Sequence, residues 1–277
     1  MRLGLIGYPV EHSLSPIFQQ AALDAIGIPA RYELWPTPPD RLADRIIMLR
    51  SPDIIGANVT VPHKEAVARA VDRLAPRAQR AGAVNTILNR DSQLIGENTD
   101  IPGFLFPLVR RSLPIADARI VVLGAGGAAR AVIVALAEHG CRSLVVANRT
   151  LQRAEALVSE FGIGRALPLA PVLTDVLPAT DLLVNATSIG WDGAASPIPV
   201  EWLDLLPAHA LVYDLTYRET PLLIAARARN LPTLDGLEML VAQGAESFRL
   251  WFGVDPPFEI MFQAAQEARA QRFGTNG

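Results

Sequence analysis

The sequence is poor in several things at once: one cysteine, four histidines, four methionines, 6% aromatic residues and only 19% charged residues across 277 positions. With Cys141 as the single thiol there is no partner for an internal disulfide, which excludes a disulfide-stapled scaffold and suits a reducing compartment. No uninterrupted apolar run reaches the length of about 18 residues that a membrane span needs. The N-terminal run LGLIGYPV is short, lacks a basic lead and meets Glu11 and His12 directly, so it does not read as a signal peptide. A cytoplasmic location is expected. A net charge of −3 offers no basic footprint, so neither nucleic acid nor an anionic membrane is expected as a partner. What is abundant is hydrophobic residue, at 50%, over a length that suits one large domain or two ordinary ones. The expected partner is a small molecule.

Three N-glycosylation sequons occur, at Asn58-Val-Thr60, Asn148-Arg-Thr150 and Asn185-Ala-Thr187. Without a secretory route they carry no sugar, but each follows an apolar run. Each therefore places an amide and a hydroxyl at the carboxyl end of an expected strand, where open parallel α/β sheets bind their ligands.

Short β-rich runs alternate with helical patterns along the chain. RLGLIGY precedes PIFQQAALDAIG, ARYELW precedes DRLADRIIML, and IIGANVTV precedes HKEAVARAVDRL, a rhythm of βαβ units around a mainly parallel sheet. AVNTILNRDSQLIGEN differs, since Asn89 to Ser92 supplies turn chemistry between two strand-like runs and predicts a hairpin. A second βα series starts at Arg119, with strands RIVVLG, SLVVAN, DLLVNA and ALVYDL, and the chain closes with two helices. The expected class is α/β with two domains, the boundary falling near residues 102 to 117.

In VVLGAGGAAR the spacing G-x-G-x-x-A falls on Gly124, Gly126 and Ala129, after a strand and before a helix. The first glycine allows a tight turn, the second lets backbone approach a pyrophosphate, and the small third residue lets helix pack on strand. Gly124, Ala125, Gly126, Gly127 and Ala128 thus form the expected phosphate loop, with an ordinary tight turn as the plain alternative. A site for NAD places an acid about 20 residues on, to accept from the ribose 2′-hydroxyl. Here Arg149 stands 149 − 124 = 25 residues past Gly124, and no acid lies between Ser143 and Arg153. A guanidinium repels no phosphate and binds one bidentately, so the expected cofactor is NADP(H), with Thr150 and Arg153 adding a hydroxyl and a second charge. The alternative is a solvated arginine at a helix start.

In the first half, HSLSP sets Ser15 before Pro16, a capping hydroxyl before an N1 proline, and Ser13 beside it is left over to meet a carboxylate. In ANVTVPHKE, Lys64 falls in the first turn of a helix, where the dipole disfavours a cation by about 0.3 to 1 kcal/mol. The same field is expected to lower its pKa toward that of a general base. His63 reads as a surface or packing residue, and no metal-ligand set is evident. Asp100, ending GENTD, is either an N-cap or a carboxylate partner for Lys64. Asn85, in AGAVNT, reads equally as a turn residue.

Taken together, HSLSP, GANVTVPHKE, AGAVNT, GENTD, LGAGGAAR, ANRT, NATSIG and GLEMLVAQGAESFRLWFG resemble the shikimate dehydrogenase family, in order, from residue 12 to about residue 253. The resemblance implies NADP-dependent interconversion of 3-dehydroshikimate and shikimate in aromatic amino acid biosynthesis. It also implies two α/β domains flanking a cleft, with the last helices returning to the first: 1–103 with 236–277 as a substrate and catalytic domain, and 104–235 as a Rossmann-type nucleotide domain. By motif it assigns Ser13 and Ser15 to the substrate carboxylate, and Thr60, Asn85 and Asp100 to ring hydroxyls. Lys64 and Asp100 become the catalytic pair. Gln243 and Tyr217 become further substrate contacts, while the glycine loop, Asn148 to Arg153 and Thr187 hold the cofactor. Two departures stand out: YDLTYRETP is about two residues shorter than the family pattern after the tyrosine, and Ile101-Pro102 replaces a glycine after Asp100. Rival readings are a quinate/shikimate dehydrogenase or related paralogue, and a non-catalytic NADPH-binding sensor. A methylenetetrahydrofolate dehydrogenase shares the plan but not HSLSP or NTD. A monomer or homodimer is expected.

Overall fold

The computed structural model describes residues 1–274. The chain divides into two compact units, Met1–Phe106 with Glu238–Gly277, and Pro107–Leu237. In the first unit the elements run β1 (Arg2–Gly7), α1 (Ser15–Ile26), β2 (Arg31–Pro36), α2 (Leu42–Met48), β3 (Ile54–Val59), α3 (Lys64–Ala68), β4 (Arg73–Leu74), α4 (Pro76–Ala81), β5 (Thr86–Arg90), β6 (Gln93–Glu97) and α5 (Asp100–Arg110). They form a mixed sheet of order β2-β1-β3-β5-β6-β4. β1 pairs in parallel with β2 and β3, whereas β5 is antiparallel to both β3 and β6. The expected hairpin is the β5–β6 connection, turned by Asp91 and Ser92 at φ 52° and 66°. Asn89 Oδ1 accepts from the Ser92 N–H at 3.0 Å and holds that left-handed pair in place. Ile6, Ala57, Val59 and Ile87 of the sheet share one buried cluster with Ile46, Leu49, Val67 and Ala78.

Two helices are shorter than their patterns suggest. DRLADRIIML gives a 3-10 turn at Pro39–Arg41 and then only α2. HKEAVARAVDRL is helical only over Lys64–Ala68, because Arg73 and Leu74 leave to pair with Ile95 and Gly96 of β6. The Asp72 carboxylate fixes that exit by accepting from the Leu94 N–H at 2.8 Å. At α1 the expected cap is displaced by one position. Leu14 occupies the N-cap with no side-chain hydrogen bond, Ser15 is the first helical residue, and Ser13 Oγ accepts from the Ser15 N–H at 3.2 Å.

The second unit carries β7 (Arg119–Leu123), α6 (Gly127–Glu138), β8 (Ser143–Asn148), α7 (Leu151–Phe161), β9 (Arg165–Pro168), β10 (Leu182–Asn185), β11 (Leu211–Asp214), α8 (Pro221–Ala228) and β12 (Thr233–Leu234). All six strands are parallel, in the order β12-β11-β10-β7-β8-β9. Read from β7 outward this is the doubly wound 3-2-1-4-5-6 arrangement, and ligands bind at the carboxyl ends where its order reverses, between β7 and β10. Its central strands are continuous apolar runs because helices cover both faces.

α9 (Leu237–Phe252) and α10 (Phe258–Phe273) then return to the first unit. α10 packs along α1. Gln19 Nε2 donates to the Gly244 carbonyl at 2.9 Å, and Trp251 Nε1 donates to the Ile87 carbonyl at 3.0 Å. Among the described residues no helix is long and apolar enough to cross a membrane.

Candidate active site

Lys64 begins α3 and Asp100 begins α5, so each side chain leaves the first turn of its helix. Lys64 Nζ donates to Asp100 Oδ2 at 2.7 Å, and the two side chains are 16% and 6% exposed. Asp100 is free for this contact because it is not the cap. Asn98 Oδ1 accepts from the N–H groups of Asp100 and Ile101 at 3.1 and 3.3 Å, which is the capping role. Lys64 is also the only lysine in the chain, every other strongly basic side chain being arginine. A primary ammonium can hand on a proton whereas a guanidinium stays protonated, so the exception marks a position where proton transfer is possible.

Asn85 stands behind this pair. Its Oδ1 accepts from the Thr99 backbone N–H at 2.7 Å, which settles the amide orientation because that donor has no alternative role. Nδ2 therefore faces Asp100 Oδ1 at 2.9 Å, Thr99 Oγ1 at 2.9 Å and Gln243 Oε1 at 3.1 Å. A buried N–H aimed at Asp100 Oδ1 fixes that carboxylate while its other oxygen meets Lys64. Behind Asn85 lies a closed set of polar groups. Ser247 Oγ donates to the Gln243 carbonyl at 2.9 Å and sits 2.8 Å from Thr86 Oγ1 and 3.1 Å from Thr99 Oγ1. Asn58 Nδ2 donates to Ser247 Oγ at 2.9 Å, and Asn58 Oδ1 accepts from the Tyr32 hydroxyl at 2.7 Å. Burial pushes the Tyr32 phenol well above its usual value, so it stays a donor. Roles for Tyr32, Thr86 and Ser247 were not legible locally, since the contacts Tyr32–Asn58, Thr86–Ser247 and Asn58–Ser247 span 26, 161 and 189 residues.

Gln243 reaches this group because α9 crosses α5 at Gly103, where a side-chain carbon would come within 2.7 Å of Gln243 Cβ. Its Nε2 donates to the Leu240 carbonyl at 2.7 Å. Lys64, Asn85, Asp100 and Gln243 are thus joined by hydrogen bonds in one unit. Ser13 and Ser15 meet each other, and their hydroxyl protons, like that of Thr60, make no hydrogen bond among the described residues. Tyr217 belongs to the other unit, where its ring meets Trp191. His63 is buried rather than on the surface, with Nε2 2.6 Å from the Thr37 carbonyl oxygen.

In the second unit, Gly124 leaves β7 with φ +111°, and a side-chain carbon there would press on Thr187 Cγ2 at 3.0 Å and the Ala186 backbone at 3.1 Å. This is the tight turn that only glycine makes easily. Gly126 is the N-cap of α6, and a side-chain carbon on it would meet nothing within 4 Å, so backbone N–H groups face open space. Ala129 is fully buried against the sheet. Thr187 Oγ1 donates to Asn185 Oδ1 at 2.7 Å and accepts from the Ile189 N–H at 3.1 Å, which holds the adjoining loop. Asn148 Nδ2 donates to the Thr150 carbonyl at 2.9 Å and shapes the end of β8. Thr150 is the N-cap of α7, so Arg149 lies just outside the helix and only Arg153 lies in its first turn. Both arginine side chains are exposed and make no hydrogen bond or ion pair among the described residues. Open backbone donors after β7 and uncommitted guanidinium groups after β8 fit a dinucleotide carrying a 2′-phosphate. Among the described residues no group of three or more His, Cys, Asp or Glu is placed to hold a metal.

A doubly wound sheet with cationic side chains at the end of its second strand, and a lysine–carboxylate pair in the companion unit, define an NADP-dependent oxidoreductase of the two-unit α/β class. Family models agree: the shikimate dehydrogenase substrate binding domain matches residues 5–87, shikimate / quinate 5-dehydrogenase matches 108–190, and the shikimate 5'-dehydrogenase C-terminal domain matches 236–266. The chain belongs to the shikimate dehydrogenase family. It is 44% identical to the NADP(+) shikimate dehydrogenase of Symbiobacterium thermophilum, over 96% of this chain and 94% of that one. It is 47% identical to the corresponding protein of Gluconobacter oxydans, over 91% and 90%. The crystal structure of shikimate 5-dehydrogenase from Thermus thermophilus, in complex with NADP(H) and shikimate, superposes with a TM-score of 0.87 at 44% identity, covering 97% of this chain and 99% of that one.

Proposed function

We infer that this chain catalyses the reversible NADP-dependent reduction of 3-dehydroshikimate to shikimate. The observation that carries the reading is the 2.7 Å contact between the only lysine and Asp100, in a chain 44% identical to an NADP-dependent shikimate dehydrogenase over nearly its whole length. The glycine loop from Gly124 to Ala128, together with Asn148, Arg149, Thr150, Arg153 and Thr187, holds the cofactor. When bound, the nicotinamide supplies or accepts a hydride.

Every other step is work for this chain's own groups. The ammonium of Lys64 has three N–H donors and gives one to Asp100, which leaves two for the substrate oxygen. In reduction, Lys64 protonates the forming alkoxide, and in oxidation its amine takes the hydroxyl proton. Asp100 holds the amine in register, and Asn85 holds Asp100 from behind. Ser13 and Ser15 bind the substrate carboxylate, while Thr60, Asn85, Asp100, Gln243 and Tyr217 bind its ring hydroxyls and neighbouring atoms. The first unit is accordingly the substrate domain and the second the NADP domain.

The test is the absorbance of reduced nicotinamide, with shikimate and quinate each assayed against NADP and NAD. The expected result is that shikimate with NADP gives the fastest of the four rates. Faster turnover of quinate overturns the substrate, faster turnover with NAD overturns the cofactor, and no turnover with tight NADPH binding leaves a sensor.

A further inference from the structure

Two loops leave the carboxyl edge of the second unit side by side, because β10 and β11 are parallel neighbours with Asn185 opposite Asp214. Their roots are tied together by one buried carboxylate. Asp214 accepts from Asn185 Nδ2 at 3.0 Å, from the Thr216 N–H at 3.0 Å and from the Thr220 hydroxyl at 2.9 Å. Burial pushes this carboxyl above its usual value, against the pull of those three donors.

Farther out, the same two loops are tied by three side chains in a row. The Trp191 ring meets the Tyr217 ring edge-on, with centroids 4.9 Å apart and planes at 84°. The Arg218 guanidinium carbon lies 5.2 Å from the Trp191 ring centre, and Arg218 Nη1 donates to the Trp191 carbonyl at 2.5 Å. The indole is therefore clamped by Arg218, and its face or edge limits the rotamers open to Tyr217. An edge-on aromatic contact restricts both torsions of a tyrosine and leaves the hydroxyl at the far end in one place.

We propose that Trp191 is a positioning residue that fixes the Tyr217 hydroxyl, and so sets affinity for the hydroxylated substrate. The proposal rests on the assignment of Tyr217 to the substrate. It also accounts for the short connection after Tyr217, since Arg218 and Trp191 brace a loop that has few residues of its own.

The test is a double-mutant cycle with Trp191→Ala, Tyr217→Phe and the pair, reading KM for shikimate, kcat and the Kd of 2′,5′-ADP. Tyr217→Phe keeps the ring and removes only the hydroxyl. Trp191→Ala is expected to raise KM about two- to tenfold with kcat within about twofold, the size of the one hydrogen bond that a misplaced Tyr217 hydroxyl loses. In the Tyr217→Phe background it is expected to raise KM no further, and Trp191→Phe is expected to restore most of the affinity. The 2′,5′-ADP affinity, which reports the adenosine end, should stay constant throughout. Additive losses, or a Trp191→Ala enzyme with wild-type KM beside a damaged Tyr217→Phe enzyme, overturn the positioning role alone. An undamaged Tyr217→Phe enzyme overturns the substrate role of Tyr217 and this proposal with it. Loss of 2′,5′-ADP binding in Trp191→Ala overturns it by showing collapse of the unit.

Discussion

Arg149→Ala separates cofactor recognition from fold. The guanidinium is exposed and holds nothing among the described residues, so its removal should change stability by no more than about 0.5 kcal/mol. A hydrogen bond to a charged group contributes about 1.5 to 3 kcal/mol, so losing the 2′-phosphate contact should weaken NADPH by roughly 10- to 150-fold. Exposure favours the lower end, because water and salt compete for both charges. NADH has no 2′-phosphate, and its Kd should move by less than about twofold. Quenching of intrinsic fluorescence by each cofactor gives both constants on one sample, and raising the salt from about 50 to about 300 mM should narrow the wild-type preference but not the mutant's. Equal losses for NADPH and NADH, or no loss for either, would refute the assignment of Arg149. Arg153→Ala, which removes an equally uncommitted side chain from the first turn of α7, should show the same NADPH-selective loss to a smaller extent.

Lys64→Ala should lower kcat by about 10² or more with NADPH affinity retained, and Lys64→Arg, which keeps the cation but releases no proton, should be nearly as slow. Steady-state rates within a few-fold of wild type for either variant would remove the lysine from proton transfer. Gly124→Ala forces an L residue to φ +111° against Thr187, and calorimetry should find about 1 to 3 kcal/mol of lost stability together with weaker NADPH binding. An unchanged melting temperature would mean that the turn relaxes. Arg119, with help from His209, holds the Asp181 carboxyl far below the usual carboxylate range. A depressed acid stabilises the fold fully above its unfolded value near pH 4 and loses that contribution as the pH falls toward its folded value. Asp181→Asn should therefore cost stability at about pH 6, and the gap to wild type should narrow steadily as the pH falls from about 4 to about 2. A gap of constant size in denaturant titrations over that window would contradict the linkage.

What could be read from the sequence was local. The Gly124 turn, Arg149 after β8, the Asp91–Ser92 hairpin and the continuous strands of the second unit each depend on residues within one βα step. The cap of α1 was misplaced, because Ser13 accepts where the pattern sets Ser15, and at α5 Asn98 does the capping while Asp100, open between cap and lysine partner, meets Lys64. Competing oxygens two residues apart offer nearly the same chemistry, and only the backbone path decides between them. α3 ended early because Arg73 found a strand partner in β6, a tertiary preference that helical periodicity does not record. The support behind the Lys64–Asp100 pair was out of reach for the same reason. Asn85 resembles any turn asparagine until Thr99, Asp100 and Gln243 close around it. The departure Ile101-Pro102 leaves Asp100 in contact with Lys64, so the missing glycine is not needed for the pair.

The lone lysine has a consequence outside catalysis. Reagents and metabolites that acylate or condense with amines, such as anhydrides, acyl phosphates and aldehydes, usually spend themselves on dozens of harmless surface sites. On this chain they meet one terminal amine and one side chain, and that side chain is 16% exposed and tied to a carboxylate. Arginine everywhere else makes the exterior almost blank to such chemistry, so any side-chain adduct falls on the one amine that pairs with Asp100.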